Sequence, residues 1–256
     1  AGEESSLIVR SQLACTAKRL PADAGIPIVR ELLRHDEDAE DIHVPLLLWW
    51  AIEDKAISDT NAVLRLVESS DAWQLPLVRQ FIIERLARRL TAEGTEEGFA
   101  ACARLLAMAP SDADVDLILA GMLGALSGRR IESVPQSLKL SLDKLAERRN
   151  SDPKVMQLAL RMGASTTAAV RFIENANRPA GERVAIIRAL GETRSVGSTE
   201  TLLSLIRRPE ADSIQTAVLS ALGFFQDDRI AADVLSAYKT LKPGARSRAI
   251  DLLSGR

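Results

Sequence analysis

The stretch Pro209-Glu-Ala-Asp-Ser-Ile-Gln-Thr-Ala-Val-Leu-Ser-Ala-Leu-Gly223 decides the fold, because it carries the start, the buried face and the end of one short helix. Pro209, Asp212 and Ser213 are typical of a first helical turn, whose free amides such residues leave unused or satisfy. Gly223 is predicted to end the helix in the left-handed conformation. The apolar residues recur at steps of three and four and so share one face: Ile214, Ala217, Val218, Ala221 and Leu222.

Glycines that follow predicted helices recur along the chain with spacings of 34, 35, 28, 32 and 32 residues: Gly94, Gly128, Gly163, Gly191, Gly223 and Gly255. A helical period of this size is typical of stacked helix pairs. We therefore predict an all-α fold, a right-handed α-α superhelix of about seven helix pairs that forms a single solenoid over residues 1–256. The second helix of each pair is expected to line the concave side. Three of the predicted helices matter below: Ile26–Arg34, Leu75–Leu90 and Arg246–Leu253.

The composition supports helices and excludes several classes of protein. Hydrophobic residues make up 46% of the chain and aromatic residues 4%, so the core is built from Leu, Ala, Ile and Val, which suits closely packed helices. With 33 basic and 35 acidic residues the net charge is −2, which provides no general field for nucleic acid. Cys15 and Cys102 lack metal-type spacing and are predicted to be buried thiols. We expect no cofactor. We also expect no membrane insertion, since no apolar run is long enough to span a bilayer.

The helix pairs resemble HEAT repeats. The resemblance rests on the Asp152-Pro153 helix start and on Ala-Leu-Gly endings such as Ala221-Leu222-Gly223. Tetratricopeptide repeats have a similar period, but their recurrent Trp, Leu-Gly and Tyr positions do not repeat in this sequence.

Two N-terminal stretches carry a closer resemblance: Val9-Arg-Ser-Gln-Leu-Ala-Cys-Thr-Ala-Lys-Arg-Leu-Pro21 and Asp41-Ile-His-Val-Pro-Leu-Leu-Leu-Trp-Trp-Ala-Ile-Glu53. They are similar to the HEAT-repeat region of exported multidomain proteins of planctomycetes and their relatives. That resemblance implies a preceding β-propeller like a membrane-bound sugar dehydrogenase, a following c-type cytochrome domain, and a periplasmic or cell-envelope location. Neither cysteine begins the Cys-x-x-Cys-His of a covalent haem, so this redox chemistry falls on no residue of the chain. The chain is expected to be a middle piece of such a protein.

An acidic loop between two predicted helices is the first candidate site. Its side chains, among them His35, Asp36, Asp38 and His43, could offer oxygen ligands to calcium or two imidazoles to a transition metal. The loop lacks the glycine at a fixed offset that a known calcium loop uses for its turn. We favour the alternative interpretation, a solvated connection in which Asp41 caps the following helix.

Trp49 and Trp50 are the second candidate. Adjacent helical residues point about 100° apart, so we expect one ring to pack between repeats and the other to lie at the surface. An exposed tryptophan can stack on a base or a sugar, although core packing is the favoured role for the pair. Together with Arg79, Arg161 and Arg188 from predicted second helices, they form our candidate interaction surface.

Arginine pairs are the third candidate: Arg88-Arg89, Arg129-Arg130, Arg148-Arg149 and Arg207-Arg208. We interpret them as charges near helix C-terminal ends, where they oppose the negative end of the helix dipole. A stripe that binds phosphates is the alternative.

No nucleophile-base pair, phosphate-binding glycine loop or metal-ligand cluster occurs in the sequence. We therefore predict a non-catalytic scaffold whose partners are flanking domains of the same protein or other proteins, and not nucleic acid. The alternative is a HEAT-like DNA glycosylase acting on alkylated purines, which the net charge of −2 disfavours.

Overall fold

The computed structural model describes residues 1–129, 134–149 and 151–255, and these residues contain helices and connecting segments but no β-strand. The predicted all-α fold is confirmed. Within the described residues the α-helices are α1 (Leu7–Arg19), α2 (Ala22–Leu32), α3 (Val44–Glu53), α4 (Thr60–Leu64), α5 (Ile83–Glu93), α6 (Glu96–Met108), α7 (Asp112–Ala125), α8 (Gln136–Arg148), α9 (Pro153–Arg161), α10 (Thr167–Glu174), α11 (Ala180–Glu192), α12 (Ser198–Ile206), α13 (Asp212–Leu222), α14 (Arg229–Ala237) and α15 (Pro243–Ser254).

Several helix boundaries differ from the predictions. Helix α2 starts at Ala22, one turn before the predicted Ile26, and contains Pro27, which removes one backbone hydrogen bond. Helix α15 starts at Pro243 instead of Arg246, because proline is well suited to a first helical turn. The predicted helix Leu75–Leu90 passes through a π-helical segment, Val78–Ile82, before α5 begins. Short 3₁₀ segments lie at Asp36–Glu40, Arg65–Val67, Ser70–Gln74 and Tyr238–Thr240.

The chain divides into two compact units. The first comprises Ala1–Ser127 with Val134–Ser141, and the second comprises Gly128, Arg129 and the described residues from Leu142 onward. We predicted a single solenoid over residues 1–256. Whether the two units form one solenoid depends on how they are joined, so this stays a prediction.

In the first unit the odd-numbered helices form a row: α1 packs on α3, α3 on α5, and α5 on α7. Of the even-numbered helices, α2 packs against α1 and α3, α6 packs against α5 and α7, and α4 contacts α2. Beside this row the fully buried Trp73 donates its indole N–H to the carbonyl oxygen of Val67 at 2.9 Å. Each helix therefore packs mainly on elements close to it in the chain.

The second unit repeats this arrangement, with α9, α11, α13 and α15 in one row and α10, α12 and α14 beside it. Its core consists of aliphatic side chains with Phe172. The apolar face that we predicted for α13 is confirmed, since each of its members is at most 3% exposed: Ile214, Ala217, Val218, Ala221 and Leu222. Packing between sequence neighbours is the defining property of an α-solenoid.

The recurrent glycines fall into two groups. Gly94, Gly128 and Gly163 have φ values of 72°, 70° and 77° and adopt the predicted left-handed conformation. Gly223 and Gly255 end α13 and α15 as predicted, but the left-handed conformation is wrong for both, since their φ values are −61° and −92°. Gly191 does not end its helix, so the prediction is wrong there. Gly191 lies inside α11, where a Cβ atom would stand 2.7 Å from the Cα of Ala221 on α13. This glycine is required by the close approach of two helices.

Two polar side chains of α13 bind the start of α15, the following helix of the same row. The carboxylate of Asp212 accepts a hydrogen bond from the Ala245 amide at 2.8 Å, and the Gln215 side chain accepts one from the Lys242 amide at 2.9 Å. Both acceptors belong to α13 and both donors to the start of α15. Our interpretation of Asp212 as a cap of its own helix is therefore wrong, because it caps the following helix of the row.

Buried Arg183 makes a similar connection one repeat earlier. It donates to the carbonyl oxygen of Ile173 at 2.8 Å and to both carboxylate oxygens of Glu210 at 2.9 and 2.7 Å. The side chain thus joins α11 to α10 and to the segment before α13.

Candidate interaction surface

The two adjacent tryptophans of α3 lie in different surroundings, as predicted. Trp49 is 7% exposed and belongs to the core. Trp50 is 42% exposed, and the Lys18 ammonium lies 5.5 Å from its ring centroid. Because cation–π contacts at exposed sites contribute only about 0.5–1 kcal/mol, Lys18 holds the ring weakly. Trp50 is the tryptophan that can meet a partner.

Trp50 belongs to an apolar stripe along one side of α3. Leu46, four residues before it on the same helix, is 39% exposed, and Ile42, in the connection that precedes α3, is 82% exposed. Four-residue steps bring side chains to one helix face. An all-round apolar helix such as α3 is expected from its sequence to be buried on several sides. In the structure, this helix instead presents an apolar face to solvent.

The acidic loop contains one buried carboxylate. Asp38 is 1% exposed and pairs with Arg10 of α1 through two hydrogen bonds, at 2.7 Å from Nε and 2.5 Å from Nη2. Arg10 also donates to the carbonyl oxygen of Glu4 at 2.9 Å. The hydrogen bond to Asp38 raises the pKa of Arg10. The prediction of a solvated loop is therefore wrong at Asp38, which anchors the loop to α1.

The remaining members of the loop agree better with the capping interpretation. Asp41 accepts hydrogen bonds from the backbone amides of His43 and Val44, both at 2.8 Å, and these bonds lower its pKa. His35 contacts Glu37 at 3.3 Å and the Ala1 carbonyl oxygen at 3.1 Å. Asp36 and the His43 side chain are exposed. No group of three or more His, Cys, Asp or Glu residues in the described part of the chain is placed to hold a metal ion.

The three arginines of the candidate surface have different roles. Arg79 lies 2.9 Å from Asp114, a fully buried carboxylate that also accepts from the Ser111 hydroxyl at 2.5 Å. Arg161 is 5% exposed. It bonds Glu192 at 2.5 Å and the Arg129 carbonyl oxygen at 3.0 Å.

Arg188 is exposed on α11, and no carboxylate of the described residues pairs with it. Of the predicted surface residues, Trp50 and Arg188 lie at the surface, Arg79 is partly exposed, and Trp49 and Arg161 are buried. Buried Arg161 has a structural role in the second unit.

Four of the described members of the arginine pairs make ion pairs with carboxylates. Arg88 lies 2.8 Å from Glu84 and Arg89 lies 2.7 Å from Glu93. Both are in the middle of α5, so the helix-end interpretation is wrong for them. Arg149 is 3.1 Å from Asp152, and Arg207 is 2.6 Å from Asp233. Arg130 lies outside the described residues.

Open cavities that were not predicted from the sequence lie in both units of the described part of the chain. One cavity of about 600 Å³ lies in the first unit beside α2. Its lining residues include Arg30, Arg34, Arg65, Leu33 and Leu66. Another of about 620 Å³ lies in the second unit, between the end of α8, α9 and α10. The sequence signal that could have revealed them is weak, because their lining residues come from separate segments.

The two cysteines differ in burial, and both are free thiols. Cys102 is buried beside Thr91, and burial raises the pKa of its thiol to about 12. Such a thiol is protonated at neutral pH and is a poor nucleophile. Cys15 is half-buried, so the prediction of two buried thiols holds fully only for Cys102.

No family model matches the chain, and the comparisons with curated proteins and with solved structures found no match. None of the helices that the structure describes combines the length and the apolar composition needed to cross a bilayer.

Proposed function

We propose that the chain is a non-catalytic scaffold of the HEAT-repeat type, which binds and positions other proteins or neighbouring domains. The observation that carries this proposal is the regular packing of odd-numbered helices on one another within each unit. Such rows produce extended surfaces composed of many short helices, and repeat proteins bind their partners on these surfaces.

The use of buried charge supports the same function. Three buried arginines bond carboxylates of other elements: Arg10 with Asp38, Arg161 with Glu192, and Arg183 with Glu210. These contacts connect separate parts of the fold, and the charged groups are occupied by their structural partners. Scaffolds need such fixed helix positions, whereas acid–base chemistry needs titratable groups within reach of a substrate.

The resemblance of the two N-terminal stretches gives the proposal a setting. In that setting the scaffold lies between a dehydrogenase-like propeller and a cytochrome domain of an exported protein, and it spaces the two. The partners are then flanking domains of the same polypeptide.

Photo-crosslinking in the producing cells tests the scaffold proposal. A benzoyl-phenylalanine placed at Trp50 or Arg188 is expected to form a covalent adduct with another protein or with another domain of the same polypeptide. The same probe at Val196, which is 91% exposed in a connecting loop, is the control and should react much less. Equal labelling at the three positions, or release of alkylated purines from duplex DNA by the isolated chain, would contradict the proposal.

A further inference from the structure

The cavity between α8, α9 and α10 has an apolar floor. Four of its lining side chains are at most 4% exposed: Val155, Leu160, Ala169 and Phe172. Its volume of about 620 Å³ falls within the range of about 300–1,000 Å³ that is usual for ligand sites. The half-buried Met156 and Ala159 also line the cavity, so aliphatic side chains of an incoming segment can contact apolar surface there.

The rim of this cavity is positively charged. Arg149, Arg171 and Arg178 line it, and Asp152 is the one acidic residue among the described lining residues. Asp152 already accepts from the amides of Lys154 and Val155 at 2.8 and 3.2 Å and lies 3.1 Å from Arg149. No carboxylate in the described part of the chain pairs with Arg171 or Arg178. The rim thus offers two guanidinium groups to an incoming anion.

One of these guanidinium groups is held in place by the floor. Arg178 lies over the ring of Phe172, with 4.7 Å between the guanidinium carbon and the ring centroid. A stacked guanidinium keeps its N–H groups available at its edge for a carboxylate. Apolar floor and cationic rim therefore adjoin each other directly.

We propose that this cavity docks an acidic, aliphatic segment of a partner protein. Aliphatic side chains of the segment cover the floor, while its carboxylates bind Arg171 and Arg178 through paired hydrogen bonds. Charge complementarity selects an acidic segment, and the apolar floor disfavours nucleic acid, whose phosphates would leave it uncovered. The inference rests on the proposed scaffold function and names the chemistry of one partner.

Fluorescence anisotropy of the full chain tests this docking with a short fluorescein-labelled peptide of leucine and glutamate. The peptide is expected to bind, and Arg171→Glu should weaken binding about tenfold or more by reversing one rim charge. Ala168→Trp should also weaken it, because Ala168 is an exposed lining residue and the indole would fill the cavity. Arg194→Glu makes the same charge reversal at an exposed residue of the second unit, outside the cavity lining, and should leave the affinity unchanged.

Equal affinities of the Arg171→Glu variant, the Ala168→Trp variant and the wild-type chain would overturn the proposal. A preference for a leucine–lysine peptide would do the same, as would binding of laurate without binding of the peptide. Thermal unfolding of both variants confirms that they remain folded. Crosslinks from Trp50 or Arg188 without peptide binding would refute this cavity as the docking site while leaving the scaffold function standing.

Discussion

At the residue scale, the contact between Arg10 and Asp38 is the clearest case of buried charge. Asp38→Ala leaves the guanidinium of Arg10 buried without its main partner, which typically costs several kcal/mol. We expect a loss of about 3 kcal/mol, at the low end of that range. The loss is reduced because Glu37, whose side chain is open to solvent, still lies 3.2 Å from the Arg10 guanidinium. Urea unfolding monitored by circular dichroism measures the change.

Glu37→Ala is the matched control, since Glu37 also lies within 3.2 Å of Arg10 but its side chain is 65% exposed. An exposed ion pair contributes little to stability, so this variant should unfold close to the wild-type midpoint. The Arg10→Met, Asp38→Leu double variant should recover part of the loss. Similar losses in Asp38→Ala and Glu37→Ala would contradict the burial of the pair.

The adjacent tryptophans provide a second test of burial. Trp49→Ala should destabilise the chain by about 3–5 kcal/mol, because it removes a large core side chain. Trp50→Ala should cost about 1 kcal/mol or less, since only a surface ring and its contact with Lys18 are lost. Chemical unfolding of both variants gives the comparison, and equal midpoints would show that the two rings are equally buried.

Single residues could be predicted where the evidence is local. The alternation of Trp49 and Trp50 follows from helical geometry alone. The Arg10–Asp38 pair could not be identified, because its members are 28 residues apart. A signal was nevertheless present, since Arg10 shares the buried face of Ala14 and Ala17, where a charge needs a partner.

At the element scale, the contact between α11 and α13 depends on Gly191. Gly191→Ala would place a methyl group 2.7 Å from the Cα of Ala221, so the helices must separate. We expect a loss of about 1–3 kcal/mol, as for other overpacked sites. Gly181→Ala is the control in the same helix, where no atom lies within 4 Å and alanine should stabilise by about 0.4–1 kcal/mol. Thermal unfolding of both variants should show shifts of opposite sign, and a harmless Gly191→Ala would refute the close approach.

The start of α3 should depend on pH through Asp41. Hydrogen bonds from two amides hold the pKa of Asp41 below its ordinary value of 3.8, so ionised Asp41 stabilises the folded state above that pH. This contribution should be lost as the pH falls through the lowered pKa. Asp41→Asn keeps an oxygen acceptor but does not titrate. The melting temperature of wild type minus that of the variant should therefore shrink on acidification, and a difference that does not change with pH would contradict the cap.

The existence of the helices could be predicted more reliably than their ends. The apolar period fixes the buried face of α13, but not the role of the residue that follows it. Gly191 and Gly94 occupy similar places in the sequence pattern, yet one lies at a helix crossing and the other ends a helix. Only the packing of a neighbouring helix separates the two cases.

At the scale of the whole molecule, the repeated pattern predicted the helical class and the packing of sequence neighbours. The cavity between α8, α9 and α10 could not be predicted, because its floor and rim come from different helices. Under the proposed scaffold function, the identity of a partner depends on such surfaces. It is therefore not encoded in composition or in the repeat period.

The central claim is that each helix is stabilised chiefly by its neighbours in sequence. Asp212→Ala removes the bond from α13 to the Ala245 amide at the start of α15, which should cost about 1 kcal/mol. Ser213→Ala, at an exposed residue of the same turn, is the control.

Hydrogen–deuterium exchange read by mass spectrometry tests this claim most directly. In the Asp212→Ala variant we predict faster exchange in Pro243–Ser254 and unchanged exchange in Pro153–Arg161, three helices earlier in the same row. Faster exchange spread evenly over both segments would contradict nearest-neighbour packing, and so would exchange identical to that of the Ser213→Ala control.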